Sequence, residues 1–166
     1  MERIIELQTY LQSLMPLHEE SRISPYSAHE LYQLVMDVES YPNFLPWCDS
    51  ARVKAAPRQK GILADLTVRF GPFSETYTSH VVGQEPKAKN KPYTIEVRLV
   101  KGPFSHLTND WHFTDCKGGG CEIRFAIDFA FRSKLLDGMI HGMFERAMHK
   151  MIAAFEARAK EVYGNP

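Results

Sequence analysis

The sequence predicts an α+β fold in which a curved antiparallel β-sheet wraps around one long C-terminal α-helix, with short helices near the N-terminus. Between Ser50 and Arg132, apolar residues recur at every second position, which is typical of strands with one buried face. From 134 to 162 they recur every three or four residues, which is typical of a helix. Such a helix is roughly 43 Å long at about 1.5 Å per residue, enough to cross a whole sheet.

A short helix is predicted at the N-terminus, and we assign residues 1–16 to a helical extension that ends at Pro16. Its apolar stripe consists of Ile4, Leu7, Leu11 and Leu14. Packing onto the domain or onto a partner is one hypothesis, and an interfacial membrane helix is the other. The first is favoured because Glu2 and Glu6 leave the polar face short of cations.

The next segments predict a strand, a helix and a loop. Residues 18–24 are a candidate first strand, and Ser27 with Glu30 forms a capping-box pattern for a helix through about Val38. The segment ESYPNFLPWCDS, residues 39–50, contains two prolines, so we expect an irregular loop. Its aromatic side chains make Trp47 either a buried plug or a surface that touches something apolar.

The sheet and the last helix each present one apolar face. The KGGG turn at 117–120 and the other short connections predict an antiparallel meander. The inward strand residues are Ile62, Ala64, Leu66, Val68, Phe70, Tyr77, Ser79, Val81, Tyr93, Ile95, Val97, Leu99, Leu107, Asn109, Trp111, Phe113, Cys121, Ile123, Phe125, Ile127, Phe129 and Phe131. The helical stripe is Leu136, Met139, Ile140, Met143, Ala147, Met151, Phe155 and Val162. A sheet wrapped around a helix can enclose a cavity for an apolar ligand.

Composition narrows the class of protein. The 166 residues suit one domain, and 20 basic against 20 acidic residues give no broad electrostatic reason to bind DNA, RNA or an anionic membrane. Three cysteines without disulfide spacing fit a reducing compartment, although Cys116 and Cys121 could pair across their turn. No apolar run reaches the ~20 residues of a membrane span, and no targeting segment is evident. We therefore expect a cytoplasmic protein.

No motif for catalysis, a cofactor or a metal is convincing. The sequence has no phosphate loop, dinucleotide fingerprint, GxSxG or HExxH. His141, Glu145 and His149 share a helix face, but they spread over about 12 Å, so exposed Glu–His pairs are favoured over a metal site.

A second polar set, His106, Asp110 and His112, falls on one strand face that we take to be solvated. Asn109 lies on the inward face, where a buried amide needs partners. It either bonds to backbone at a strand irregularity or offers its amide to a ligand. The methionines of the last helix are either plain core or an adaptable lining for a flexible apolar guest.

Three stretches of the sequence are distinctive in combination: YSAHELYQLVMDVESYPNFLPWCDSARV, GPFSHLTNDWHF and FAFRSKLLDGMI with FERAMHKMIAAFEARAKEVYG. Together they resemble the coenzyme Q-binding protein family of START-like, polyketide-cyclase-like helix-grip folds, and the resemblance assigns residues 17–164 to that domain. It implies a lipid chaperone, not an enzyme, that binds ubiquinone or a related polyprenyl quinone and supports respiratory electron transport and ubiquinone biosynthesis. The family also includes ribosome-association toxins, which makes binding to the large ribosomal subunit the alternative. A cyclase or aromatase activity would rest on superfamily analogy alone.

From this resemblance and the apolar faces we predict an apolar ligand cavity with no catalytic or metal-binding residue and no cofactor besides the bound quinone. The protein is expected to touch the cytoplasmic face of the inner membrane peripherally, with the segment around Trp47 as a gate. The predicted lining residues are Phe44, Pro46, Trp47, Leu66, Val68, Phe70, Tyr77, Val97, Leu99, Phe104, Leu107, Asn109, Trp111, Phe125, Phe129, Leu136, Met139, Ile140 and Met143.

Overall fold

The computed structural model describes residues 18–166, and it confirms the predicted α+β architecture. The predicted N-terminal helix lies outside the described residues. Seven strands form one antiparallel sheet in the order β1-β7-β6-β5-β4-β3-β2. Their bounds are β1 His18–Ser24, β2 Cys48–Ala55, β3 Ile62–Phe70, β4 Phe73–Gln84, β5 Tyr93–Lys101, β6 Phe104–Asp115 and β7 Cys121–Phe131. The helices are α1 Ala28–Met36, a 3-10 helix Val38–Asn43, and α2 Lys134–Tyr163.

The strand register carries the predicted apolar alternation across the sheet. One row runs from Val81 through Val97 and Asn109 to Ile127 on adjacent strands, so Asn109 faces inward as expected. The register shifts within three strand pairs, at Cys48/Ser50, Thr78/Ser79 and Phe104/His106. Such irregularities bend strands, and they let the sheet close around α2.

Helix α1 begins with the predicted capping box. The Ser27 hydroxyl accepts from the Glu30 backbone N–H at 3.2 Å, and the Glu30 carboxylate accepts from the Ser27 backbone N–H at 2.9 Å. The helix ends at Met36, slightly before the predicted end. Gly83 on β4 has no side chain, which lets Tyr32 and Met36 reach the sheet, since a Cβ there would lie 2.4 Å from the Tyr32 hydroxyl. The helix therefore closes one end of the fold.

The segment 39–50 differs from the predicted irregular loop. Residues Val38–Asn43 form a 3-10 helix that contains Pro42, and β2 already begins at Cys48. A 3-10 helix of six residues, about two turns, tolerates proline because it loses only one weak hydrogen bond there. Leu45 is 2% exposed, and the Tyr41 hydroxyl donates to the Val35 carbonyl, so the segment is folded onto the core.

The two halves of α2 pack differently. The Tyr163 hydroxyl donates to the Glu30 carbonyl at 2.8 Å, and the Tyr26 hydroxyl donates to the Gly164 carbonyl at 2.8 Å, which anchors the C-terminal end. The first half exposes Leu135 and also Met139 and Met143, which were predicted to face inward.

The predicted helical stripe needs one further correction. Val162 is 48% exposed, and the most buried residues of the helix are Ile140, Met148 and Ala159. A straight helix has about 3.6 residues per turn, so residues chosen at three- and four-residue spacing gradually rotate around the helix axis. Along 30 residues, the predicted stripe therefore departs from the face that is buried. Of the helices within residues 18–166, none has the length and apolar character that a membrane crossing needs.

Candidate ligand cavity

The inner face of the sheet and α2 leave two adjoining spaces unfilled. The small compartment holds about 120 Å³ and the large compartment about 240 Å³. The small compartment is lined by Trp47, Val68, Phe70, Tyr77, Phe104, Leu107, Ile127, Phe129, Phe131, Ile140, Met143, Phe144, Ala147, Met148 and Met151. The large compartment is lined by Glu20, Arg22, Ile23, Ser24, Pro25, Tyr26, Leu31, Leu34, Val35, Trp111, Phe113, Ile123, Phe125, Met151, Ile152, Phe155, Glu156 and Ala159.

Trp47 forms one wall of the small compartment. Its half-buried indole lies nearly parallel to the Phe70 ring, with centroids 6.4 Å apart and planes at 20°. The Trp47 carbonyl accepts from the Arg69 backbone N–H at 2.8 Å, which ties this position to the end of β3. The side chain is thus part of the cavity wall, and its role as a gate stays a prediction.

Two polar side chains, Tyr77 and Trp47, line the small compartment among otherwise apolar groups. Neither the Tyr77 hydroxyl nor the Trp47 indole N–H has a hydrogen-bond partner within residues 18–166, and both side chains line the compartment. Burial raises the pKa of Tyr77 well above its ordinary value, with the nearby Cys48 thiol adding to the effect. The hydroxyl therefore stays protonated at neutral pH, and the compartment offers two uncommitted donors.

Trp111 of the large compartment is paired with Asn109, which was predicted to line the cavity but lines neither compartment. The Trp111 indole N–H donates to the Asn109 side-chain oxygen at 2.9 Å, and the Asn109 side-chain nitrogen donates to the Ala126 carbonyl at 2.9 Å. Asn109 thus bonds to backbone, as one of the two hypotheses proposed, although β6 is regular at this residue. Because both ends of the amide are engaged, Asn109 positions Trp111. The Trp111 ring in turn packs 4.5 Å from Phe125 and 6.0 Å from Phe155, centroid to centroid.

Charged residues surround the large compartment on one side. Arg22 lies between Glu20 and Glu156, with its Nε 2.8 Å from Glu20 and its Nη1 2.6 Å from Glu156. Since Glu156 belongs to α2 and Arg22 to β1, the pair links the helix to the edge strand. The side chains are partly exposed, so the link is weak in free energy and can open.

The remaining predicted lining residues fall into three groups. Val68, Phe70, Phe104, Leu107, Phe129, Ile140 and Met143 line the small compartment beside Trp47 and Tyr77, and Phe125 lines the large one beside Trp111. Leu66 is buried in one core cluster, against which Val97 packs, whereas Leu99 and Leu136 pack against a second cluster that includes Phe104 and Ile140. Phe44 packs on Tyr41 and Phe155, whereas Pro46 and Met139 are exposed. Contact of any of these residues with a ligand stays a prediction.

Some lining residues were missed by the sequence reasoning. Phe144 and Met148 follow Ile140 at four-residue spacing, a signal that could have placed them on the cavity face. The contribution of α1 through Leu31, Leu34 and Val35 had no such signal, because an amphipathic pattern does not say which element a helix will cover.

The polar constellations give no sign of a catalytic or metal centre. His141, Glu145 and His149 are exposed, and no three potential metal ligands cluster anywhere in residues 18–166. On the strand face, His106 lies 3.2 Å from Asp128, and Asp110 pairs with Arg98 at 2.7 Å.

All three cysteines are free thiols, including Cys116. Burial raises the pKa of Cys48 to about 11 and the pKa of Cys121 to about 12. Neither of these two thiols is therefore a thiolate nucleophile at neutral pH.

Comparison with known proteins places the chain in a family. Residues 24–156 match the family described as polyketide cyclase / dehydrase and lipid transport. The chain belongs to this family. Its helix-grip fold is shared with the Zhui aromatase/cyclase from Streptomyces sp. R1128, with a TM-score of 0.70 over 86% of this chain and 92% of that one. At 16% identity, that likeness concerns the fold alone.

More similar members of the polyketide cyclase / dehydrase and lipid transport family carry two kinds of name. Ribosome association toxin RatA of Rickettsia prowazekii is 38% identical over 144 residues, which cover 87% of this chain and 96% of that protein. Coenzyme Q-binding protein COQ10 homolog B of Xenopus laevis is 29% identical and covers 96% of this chain and 67% of that protein. An 18 kDa protein of Caulobacter crescentus has a solution structure at 34% identity and a TM-score of 0.68, over 89% of this chain and 98% of that one. The resemblance predicted from the sequence is confirmed at the level of the family.

Proposed function

We propose that the protein binds ubiquinone or a related polyprenyl quinone in the cavity and acts as a lipid chaperone. The observation that carries the proposal is the chemistry of the small compartment. Its walls are apolar, and its two polar side chains, Tyr77 and Trp47, are donors without a partner among residues 18–166. A quinone ring is flat and apolar on its faces and presents carbonyl oxygens that accept hydrogen bonds. The head group therefore complements the donors.

Burial of the isoprenoid tail supplies the affinity. Removing apolar surface from water is favourable by about 25 cal/mol per Å², so about 200 Å² of buried tail contributes roughly 5 kcal/mol before the entropy of ordering is subtracted. The aromatic and methionine side chains of the cavity suit a flexible guest of this kind.

In the proposed role, the protein carries the quinone and does not catalyse a reaction on it. A general acid–base reaction needs two groups of suitable pKa near the reacting atoms. Tyr77 is the titratable side chain of the small compartment, and its raised pKa keeps it neutral. The acidic residues of the large compartment, Glu20 and Glu156, are paired with Arg22. Support of respiratory electron transport and of ubiquinone biosynthesis follows from carrying the quinone.

Delivery of a polyprenyl lipid requires contact with a membrane, and we place the protein in the cytoplasm with peripheral contact at the inner membrane. The first half of α2 supports this placement, because Leu135, Met139 and Met143 are exposed there and Met143 also lines the small compartment. Apolar side chains at a cavity mouth give a lipid tail a continuous path out of the bilayer.

Association with the large ribosomal subunit is the second candidate function. The observation in its favour is the name of several relatives, ribosome association toxin RatA, at up to 38% identity. The charge of the chain argues against it, because 20 basic residues are balanced by 20 acidic ones and rRNA recognition favours basic surfaces.

Two measurements on one preparation separate these functions. Protein from a quinone-producing host is extracted with organic solvent and the extract is analysed by mass spectrometry, while the same protein is co-sedimented with ribosomes across a salt series. We expect recoverable quinone and little sedimentation. Stoichiometric sedimentation that weakens steeply with salt, with no quinone in the extract, would overturn the proposal, because phosphate contacts release counterions and apolar burial does not.

A further inference from the structure

Among residues 18–166, one residue lines both compartments, Met151 of α2. Every other described residue lines at most one of them. Met151 therefore stands where the two spaces adjoin, in the middle of the helix that crosses the sheet.

The volumes show why this partition matters. Ligand cavities usually hold about 300–1,000 Å³. The small compartment at about 120 Å³ and the large one at about 240 Å³ both fall below that range, whereas together they hold roughly 360 Å³. A long-tailed ligand can therefore bury its tail only by using both compartments.

The wall beside Met151 is rigid on the sheet side and adaptable on the helix side. Trp111 is held by its hydrogen bond to Asn109 and by the rings of Phe125 and Phe155, so it offers little freedom. Methionine has three rotatable bonds, and in this half-buried position it can change rotamer without unfolding its surroundings. The movable part of the partition is thus a single side chain.

We infer that Met151 is a movable partition that decides how long an apolar chain the protein accepts. With Met151 across the junction, the cavity holds a head group and a short tail in the small compartment. With Met151 turned aside, a longer tail continues into the large compartment along Trp111 and Phe155. The inference rests on the proposed function for its quinone head group, but its geometry applies to any elongated apolar molecule.

Methyl NMR of the full chain tests the partition, because isoleucines report each compartment separately. Ile140 lines the small compartment and Ile152 the large one. The probes are ubiquinones with tails of increasing isoprene number and, independently, 1-hexanol and 1-dodecanol. We expect the shortest-tailed quinone to shift the Ile140 methyl alone and the longer ones to shift both methyls.

Two substitutions of Met151, with a matched control, test whether this side chain determines which tail lengths bind. Met151→Ala is expected to raise the ratio of long-tail to short-tail affinity about fivefold, and Met151→Phe to lower it by a similar factor while Ile152 stays unshifted. Met36→Ala removes the same atoms from a half-buried residue of α1 that lines neither compartment, and should leave the ratio unchanged. If Met151→Phe does not fold, Met151→Ala against Met36→Ala still decides.

The outcomes separate this inference from the proposed function. If quinones do not bind but dodecanol shifts both isoleucines with the same dependence on Met151, the partition stands and the quinone proposal fails. An Ile152 methyl that no long-chain probe shifts in wild type or in Met151→Ala overturns the partition. Equal effects of Met151→Ala and Met36→Ala overturn it as well.

Discussion

The two compartments are built from similar apolar side chains, yet they differ in what their polar groups do. In the large compartment the indole of Trp111 is bonded to Asn109, and Arg22 is held between two glutamates. In the small compartment, Trp47 and Tyr77 keep donors that no residue in the range 18–166 accepts. A space whose polar groups are all paired selects a guest by shape, whereas a space with free donors also recognises acceptors.

The difference extends to the helix that covers them. The C-terminal end of α2 is anchored by the Tyr163 hydroxyl, which donates to the Glu30 carbonyl, next to the large compartment. The first half exposes Met139 and Met143, next to the small compartment. We therefore propose that the small compartment is the site of entry and recognition, because the part of α2 beside it is the more exposed one.

The largest expected effect is on stability at Trp111. Trp111→Ala removes a hydrogen-bonded indole from a cluster of rings, and we expect a loss of about 3 kcal/mol in the free energy of unfolding, measured by urea denaturation. Trp47→Ala should cost clearly less stability but lower quinone retention more. Equal losses of stability at the two tryptophans would show that Trp47 is a core plug.

Asn109→Leu should give the next largest loss in the free energy of unfolding. The substitution keeps the volume but leaves the Trp111 indole N–H and the Ala126 carbonyl without their partner, and an unpaired buried group costs about 1–3 kcal/mol. Urea unfolding measures the loss, and the near-ultraviolet circular dichroism of Trp111 should change with it. An unchanged free energy of unfolding would mean that Asn109 does not position the indole.

Asn109 and Trp111 also show which structural features could be predicted from the sequence and which could not. The two-residue alternation placed Asn109 and Trp111 on the inner face, and the capping box at Ser27 located α1. The bond between Asn109 and Trp111 could not be predicted, because it depends on rotamers chosen by packing. Proline signals indicated a loop at 39–50 and missed the 3-10 helix, since a helix of only six residues needs few hydrogen bonds. The division at Met151 depends on volumes that a linear pattern does not contain.

A smaller effect is expected at Tyr77, where binding and stability should separate. Tyr77→Phe removes one donor to the ligand, so we expect the quinone Kd to rise about three- to tenfold with an unfolding free energy within about 0.5 kcal/mol of wild type. The matched control is Tyr41→Phe, because the Tyr41 hydroxyl donates to the Val35 carbonyl. That variant should lose about 1 kcal/mol of stability and keep its affinity. The reverse pattern would contradict the assignment of Tyr77 to the ligand.

The smallest expected effect is that of pH. Burial raises the pKa of Tyr77, so its hydroxyl remains a donor below the ordinary tyrosine value of about 10. Quinone affinity, followed by titration, should therefore be flat between pH 7 and pH 9. Because the folded-state pKa is the higher one, the stability linked to this group is complete below about pH 10 and is lost above it. A fall in affinity centred below pH 9 would show that another group controls binding.

Tryptophan fluorescence gives the most direct test of the central claim, that a quinone head group is recognised in the small compartment. The chain has two tryptophans, and each lines one compartment. Trp111→Phe leaves Trp47 as the reporter for the small compartment, and Trp47→Phe leaves Trp111 for the large one. On titration with a short-tailed ubiquinone, we predict saturable quenching of Trp47 emission with little change at Trp111. Quenching of Trp111 alone, or weak quenching of both without saturation, would contradict the account.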